Sequence, residues 1–139
     1  MLFYEVTVRY QRQTGEEAPA KVKEVYLAEG VTPSDVEKRV LDEIKPLIFG
    51  ECELPSIKKI QLYYILNAEE GDIWYKGKVE MITIDDNGSE KRKAVTILVQ
   101  AKNITDALKR LKTNLEGLDC EIIDVQKSPI LELYRAVKE

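Results

Sequence analysis

The chain has 139 residues, the usual size of a single domain, and this length can bury a hydrophobic core without metals or disulfides. Its composition, 44% hydrophobic and 33% charged, excludes a chain that is disordered throughout. The 21 basic and 25 acidic residues give a net charge of -4, so nucleic-acid binding would require a local basic patch.

The N-terminus and the cysteines indicate the cellular compartment of the protein. Residues 1–6 lack the basic, apolar and cleavage segments of a secretory signal, and no apolar run is long enough to cross a bilayer. Cys52 and Cys120 are too few and too isolated for a disulfide framework. These features predict a cytoplasmic protein that does not associate with membranes.

The first half begins with a predicted hairpin. In residues 2–11, apolar and polar side chains alternate, which is typical of a strand with one buried face. Residues 12–20 contain glycine, proline and two glutamates and predict a polar loop, and residues 22–28 predict the partner strand.

A helix is predicted to begin after Thr32, whose hydroxyl can accept a backbone N–H bond as the N-cap. Pro33 suits the first turn, and Asp35 takes the capping-box position with a charge that favours the helix dipole. Pro46 and Gly50 mark the end of the helical segment. The buried stripe is predicted to consist of Val36, Val40, Ile44 and Leu47.

A third strand is predicted over residues 57–66, which are rich in Ile, Leu and Tyr. Its continuous apolar run from Leu62 predicts burial on both faces or an interface. Residues 67–72 form the predicted linker between the halves.

The second half shows the same order of elements. Residues 73–84 and 93–100 predict two strands, joined by a tight turn at residues 86–89 that contains an Asn-Gly hairpin signal. Asn103 replaces Thr32 as the N-cap of a helix. Its predicted apolar stripe is Ala107, Leu108, Leu111 and Leu115, its capping-box acid is Asp106, and the strand 121–127 and the tail 130–134 follow.

The two halves are similar at a nearly constant offset. Residues 27–40 align with residues 98–111 at an offset of 71 (98 − 27 = 71). Beyond the helices the offset falls to 68, where Cys52 matches Cys120 (120 − 52 = 68). This pattern is typical of an internal repeat with a short deletion at a helix end.

The sequence therefore predicts an α+β fold made of duplicated ββαβ units, with a largely antiparallel sheet, one helix per half and a pseudo-twofold axis. We expect residues 1–139 to form a single compact domain, made of repeat halves 1–67 and 73–135. The sequence leaves open whether the strands form one sheet or two. Sheet edges must be covered, charged or paired, so a homodimer is one expected arrangement.

The residue types present restrict the chemistry. Without histidine the chain lacks the commonest general base, the commonest zinc ligand and every Ser-His or Cys-His pair. It contains no glycine-rich phosphate-binding motif. The sequence thus implies no cofactor and no metal, and it favours a protein that is not an enzyme.

Two further motifs favour structural roles. Residues 85–90 resemble a calcium loop in composition, but their adjacent acids break the alternating ligand spacing, so a plain hairpin turn is favoured. Cys52 and Cys120 occupy matching places beside acidic residues, which raise a thiol pKa, so structural cysteines are favoured over redox-active ones.

Two groups of residues are candidates for ligand or partner binding. Aromatic side chains at strand positions could form a stacking platform or a protein interface, although such residues are often core. Basic residues of the second half could dock a nucleic acid or an acidic partner, although charged faces are often only solvated. The aromatic group is Tyr63, Tyr64, Trp74 and Tyr75, and the basic group is Lys91, Arg92, Lys93, Lys109, Arg110 and Lys112.

The pattern of residues 3–10, 25–28, 97–101 and 106–109 resembles domain-of-unknown-function family four-four-nine-four. The resemblance runs nearly the full length and implies an uncharacterised protein of gut bacteria and their mobile elements. It implies no activity, cofactor or catalytic residue, and it hints at a host or phage partner.

These observations lead to three hypotheses about function. The first is a non-catalytic binding or protein-interaction module, which requires that some of the four aromatic residues be exposed. The alternative is a protein that sequesters or recognises an anionic ligand, such as a nucleotide or nucleic acid, with salt-dependent binding. The third is a histidine-free enzyme that uses a carboxylate or lysine with a shifted pKa in a cleft.

Overall fold

The computed structural model of the protein describes residues 2–12, 15, 18–68 and 71–136. Within these residues it shows an α+β fold with largely antiparallel sheets, which confirms the predicted class. The elements are β1 (Leu2–Arg12), β2 (Ala20–Gly30), α1 (Pro33–Ile44), a 3₁₀ turn (Lys45–Leu47), β3 (Ile48–Ile60), β4 (Tyr64–Leu66), β5 (Ile73–Ile84), β6 (Glu90–Ala101), α2 (Ile104–Asn114), β7 (Cys120–Lys127) and β8 (Ile130–Tyr134).

The strands form two sheets, which answers the question that the sequence left open. The first sheet has the order β3-β1-β2-β8 and the second has the order β4-β6-β5-β7. The chain divides into two compact units: the first is Met1–Ile60 with Pro129–Glu139, and the second is Gln61–Ser128. Whether both units form a single compact domain with a pseudo-twofold axis stays a prediction.

Each sheet combines antiparallel and parallel pairing. In the first sheet β1 pairs antiparallel with β2 and β3, and β8 lies parallel to β2. In the second sheet β5 pairs antiparallel with β6 and β7, and β4 lies parallel to β6. Each parallel edge strand comes directly after a strand of the other sheet in the chain: β4 follows β3, and β8 follows β7.

This topology corrects the prediction of one strand over residues 57–66. Residues 57–60 end β3, whereas residues 64–66 form β4 in the other sheet. The predicted burial on both faces is also wrong, because Tyr63 and Tyr64 are about half exposed. An apolar run shows that a segment can form strands, but it does not show which sheet each part joins.

The strand registers follow the offsets found in the sequence. Leu2 pairs with Gly30 as Ile73 pairs with Ala101, and each member differs by 71 from its counterpart. Tyr10 pairs with Cys52 as Met81 pairs with Cys120, with offsets of 71 and 68. The parallel strands fit as well: Leu27 pairs with Leu133, and Leu98 with Ile65. Duplication is a plausible origin of this correspondence and remains a prediction.

Each helix buries most of its predicted apolar stripe against its own sheet, but Leu47 lies in the 3₁₀ turn after α1 and, like Leu108, is only partly buried. Val36, Val40 and Ile44 of α1 are fully buried in the first unit, and Ala107 and Leu111 of α2 are fully buried in the second. Full burial of one such Val, Leu or Ile side chain contributes roughly 1.5–3 kcal/mol. These two clusters therefore hold each helix on its sheet.

The helix starts confirm the predicted caps. The Thr32 hydroxyl accepts the backbone N–H of Asp35 at 3.2 Å, and the Asn103 side-chain oxygen accepts that of Asp106 at 2.8 Å. The two carboxylates reach back in turn: Asp35 accepts the N–H of Val31, and Asp106 accepts that of Lys102. Each helix thus begins where donors at its first turn are satisfied.

At Gly77 on β5, the core of the second unit is packed by side chains of different size from those of the first unit. A Cβ atom on Gly77 would lie 2.7 Å from Leu111 Cδ1. At an offset of 71, the first unit has Val6 on β1 and Val40 on α1, both fully buried. A larger helix side chain in the second unit therefore fills the space that a strand side chain fills in the first.

Candidate binding groove beside helix α2

A groove of about 590 Å³ lies in the second unit between β4 and α2. Apolar residues of β4 form one wall, and polar or charged residues of α2 form the other. This size is within the range of sites that hold small ligands or short segments of a partner. The lining residues are Ile65, Leu66, Asn67, Asp106, Lys109, Arg110, Thr113 and Asn114.

The charged wall is ordered by Asp106 at the start of α2. Its Oδ2 accepts the backbone N–H of Lys102 at 3.0 Å and the Arg110 Nε–H at 3.2 Å. These two hydrogen bonds, that of Lys102 foremost, lower the pKa of Asp106 from its ordinary value. Asp106 therefore remains ionised and holds the guanidinium of Arg110 against the helix.

Lys109 differs from Arg110 in having no acidic partner. The described residues provide Lys109 with no ion pair or hydrogen bond, and its side chain is exposed. The neighbouring Lys112 is also exposed but does not line the groove. Lys109 is therefore the uncompensated positive charge of the groove.

An exposed tyrosine pair stands at the start of the groove's apolar wall. Tyr63 is 46% exposed and Tyr64 is 51% exposed, and their rings meet edge to face with centroids 4.9 Å apart. The Tyr63 backbone N–H donates to the Thr96 carbonyl oxygen at 2.8 Å, which anchors this segment to β6. The strand that carries Tyr64 continues directly into Ile65 and Leu66 of the groove.

The other two candidate aromatic residues are not part of this surface. Trp74 is 3% exposed and Tyr75 is 5% exposed. Tyr75 packs in the core beneath α2. Both positions on β5 are interior, so the structure separates Trp74 and Tyr75 from the exposed pair.

The basic residues of β6 lie apart from the groove. Lys91, Arg92 and Lys93 pair with the far end of β5, next to the hairpin turn. Arg92 contacts Glu121 at 2.8 Å and Glu90 at 3.3 Å, and these acids raise its pKa. The groove lining includes Lys109 and Arg110 but none of the three β6 residues.

The first unit has a different arrangement where the second has its groove. At an offset of 68, Tyr134 of β8 stands where Leu66 stands, and its ring stacks on Tyr26 with centroids 5.3 Å apart. On α1, the positions of Thr113 and Asn114 are taken by Asp42 and Glu43. The corresponding region is therefore occupied by an aromatic ring and carries acidic residues.

The first unit also contains a polar cluster around Glu24, which was not predicted from the sequence. The Glu24 carboxylate accepts hydrogen bonds from the hydroxyls of Tyr10 and Tyr26 and, at 2.8 Å, from Arg12 Nη1. Its side chain is only 10% exposed. The sequence does contain an indication of this cluster, because the acidic Glu24 shares the inward face of β2 with Val22 and Tyr26.

Two predictions about other motifs can be compared with the structure. Asp85 accepts the backbone N–H groups of Asn87 and Ser89 at 2.9 Å each, and Gly88 has φ +80°, so this segment is a plain hairpin turn as predicted. Burial, followed by the charge of Glu53, raises the pKa of the Cys52 thiol, as expected for a structural cysteine. Among the described residues, no group of three or more acidic or cysteine side chains could hold a metal ion.

The architecture defines a class of α+β proteins in which two four-stranded sheets each carry one helix. The chain belongs to the family described as Domain of unknown function (DUF4494), whose family model matches residues 2–136. This match confirms the family resemblance noted in the sequence. A comparison with curated proteins gives no match.

Neither helix in the described part of the chain has the length and hydrophobicity needed to span a bilayer.

Proposed function

We propose that the protein is a non-catalytic binding module whose binding surface consists of the β4–α2 groove and the Tyr63–Tyr64 pair. The observation that supports this proposal is the exposed tyrosine pair at the start of the groove wall. Tyrosine is enriched at protein interfaces because its ring supplies contact area and its hydroxyl a hydrogen bond. Two adjacent exposed tyrosines therefore suit contact with a protein partner.

Native mass spectrometry of the protein isolated from its natural host tests this proposal. We expect the wild-type chain to retain a partner that the double variant Tyr63→Ser, Tyr64→Ser loses. Ile84→Ser is the matched control, because Ile84 is 72% exposed at the end of β5 and lies outside the groove lining. Equal loss of the partner in both variants, or a wild-type chain without a partner, would contradict the proposal.

Recognition of an anionic ligand is the second candidate function. It is supported by exposed lysines without ion pairs among the described residues: Lys109 in the groove, and Lys91 and Lys93 on β6. Fluorescence anisotropy with a labelled single-stranded oligonucleotide at 50 and 200 mM salt, two chosen conditions, tests it. We expect binding to weaken with salt and with Lys91→Gln, Lys93→Gln. Salt-independent binding would contradict this function.

The proposal places the module in the cytoplasm and includes a homodimer as one form of partner. The two free, half-buried cysteines support a reducing compartment. The family resemblance adds an association with mobile elements of gut bacteria to the proposal. Sedimentation of the purified protein over a range of concentrations would detect the dimer.

A further inference from the structure

We infer that the β4–α2 groove recognises an acidic peptide segment and that the protein has one such site, in its second unit. This inference rests on the proposed function and specifies the chemistry of the partner. Three features of the groove support it: its uncompensated charge, its hydrogen-bonding groups and the different composition of the corresponding region in the first unit.

The charge of the groove favours a carboxylate over a phosphate. Asp106 already engages Arg110, which leaves Lys109 as the one groove-lining cation that has no partner among the described residues. A dianionic phosphate would lie near the ionised Asp106 and would be repelled by it. One Asp or Glu side chain matches the one available lysine.

The neutral polar groups of the groove suit a peptide backbone. The hydroxyl of Thr113 and the amide of Asn114 are exposed at the C-terminal end of α2, and both groups can donate and accept hydrogen bonds. A peptide backbone presents both N–H donors and C=O acceptors, whereas a dianionic phosphate ester offers only acceptors. The apolar wall of Ile65 and Leu66 provides a surface for neighbouring side chains of the peptide.

The first unit shows why one site per chain is expected. Lys38 on α1 corresponds to Lys109, but Asp42 and Glu43 replace Thr113 and Asn114 beside it. With Asp35, the corresponding positions carry three acids against three cations (Lys38, Arg39 and Arg135), so this region lacks the excess positive charge of the groove. The Tyr134 ring is also stacked on Tyr26 there. Lys38 therefore provides an internal control for the charge of Lys109.

Amide-resolved NMR titration of the full chain tests the inference. The probe is a capped peptide with one glutamate, acetyl-Gly-Val-Glu-Val-Gly-amide, with its glutamine counterpart and inorganic phosphate as comparison ligands. We expect the glutamate peptide to shift amides of Ile65–Asn67 and Lys109–Asn114. We expect Lys109→Gln to weaken binding about two- to fivefold, the range for an exposed ion pair, and Lys38→Gln to leave it unchanged.

Several results would overturn the inference. These are equal binding of the glutamine peptide, shifts centred on α1, equal effects of Lys109→Gln and Lys38→Gln, or larger shifts of the same amides with phosphate. If the glutamate peptide fails while the Tyr63–Tyr64 variant still loses its natural partner, the acidic chemistry is wrong and the binding module stands. If both experiments fail, the proposed function is wrong as well.

Discussion

Glu24 marks a difference in chemistry between the two units. Its carboxylate accepts hydrogen bonds from three side chains and lies beside the first core. At an offset of 71, the second unit has Val95, with Met81 and Ile97 in place of Tyr10 and Tyr26. A charge that is nearly buried is tolerated when each of its neighbours donates to it. The first unit thus relies on a polar network where the second relies on apolar packing.

Neutralising this carboxylate should lower stability. Hydrogen bonds to a charged group contribute more than neutral ones, so we expect Glu24→Gln to reduce the free energy of unfolding by about 1–3 kcal/mol. Denaturant unfolding followed by circular dichroism measures the change. Glu53→Gln is the matched control, because its pair with Arg9 is long at 3.6 Å and exposed, and should cost less than about 1 kcal/mol. Equal losses would contradict the importance of the network.

Because of the tyrosines around Glu24, we expect alkaline pH to destabilise the fold. Burial, as the largest cause, raises the pKa of Tyr10 and of Tyr134 to about 12. Tyrosine in an unfolded chain titrates near 10, so between about pH 10 and 12 the unfolded state releases protons that the folded state keeps. Stability present below about pH 10 is therefore lost as the pH rises. We expect the melting temperature to fall more steeply above pH 10 than below it.

Tyr134→Phe separates this effect from general alkaline unfolding. The variant keeps an aromatic ring to stack on Tyr26 but has no hydroxyl to ionise. Its melting temperature should depend less on pH between 10 and 11.5 than that of the wild type. An unchanged slope would show that Tyr134 does not contribute to the pH dependence.

At the scale of elements, the packing of β5 against α2 leads to a prediction about volume. Gly77→Val should destabilise the protein by about 1–3 kcal/mol, because its side chain would overlap Leu111. Leu111→Val alone should cost about 0.5–1.5 kcal/mol through lost packing. The double variant restores the Val–Val pair that the first unit has at Val6 and Val40. Denaturant unfolding of all four chains measures the coupling.

The Gly77→Val and Leu111→Val substitutions should partly compensate for each other in the free energy of unfolding. The double variant should lose at least about 0.5 kcal/mol less than the sum of the two single losses. Simple additivity would mean that the two side chains do not compete for the same space.

Local sequence signals predicted most of the elements. Strand β5 has the predicted bounds, and both helices begin after the predicted caps, because these features depend on neighbouring residues. The separate strand β4 was not predicted. Its pairing with β6 depends on residues some thirty positions away, and periodicity carries no information about such partners.

The candidate site was predicted only in part, because sequence patterns carry information about neighbouring residues and not about distant ones. Runs of similar residues in the sequence drew attention to Lys109, Arg110, Tyr63 and Tyr64. The burial of Trp74 and the role of Asp106 in the groove could not be predicted, because they depend on how distant strands and α2 pack. The sequence assigned Asp106 only a capping role.

At the scale of the whole molecule, the end of the chain should stabilise its beginning. Strand β8 pairs with β2, buries Ile130 and stacks Tyr134 on Tyr26. Removing residues 129–139 should therefore increase hydrogen exchange of β2 amides by at least about tenfold, while β6 amides should keep their protection. Removing residues 137–139 alone is the control. Unchanged exchange in β2 would show that β8 does not support the first sheet.

The same strand order has a consequence during synthesis on the ribosome. Strand β2 ends at residue 30 and β8 begins at residue 130, so 99 residues are added between them (residues 31–129; 129 − 30 = 99). At about 5–20 residues per second, this addition takes roughly 5–20 s. All four strands of the second sheet lie before residue 128 and emerge earlier than β8. The first sheet is thus completed last although β1, β2 and β3 precede the second sheet in the chain, and we expect the β2 edge to stay unpaired until β8 emerges.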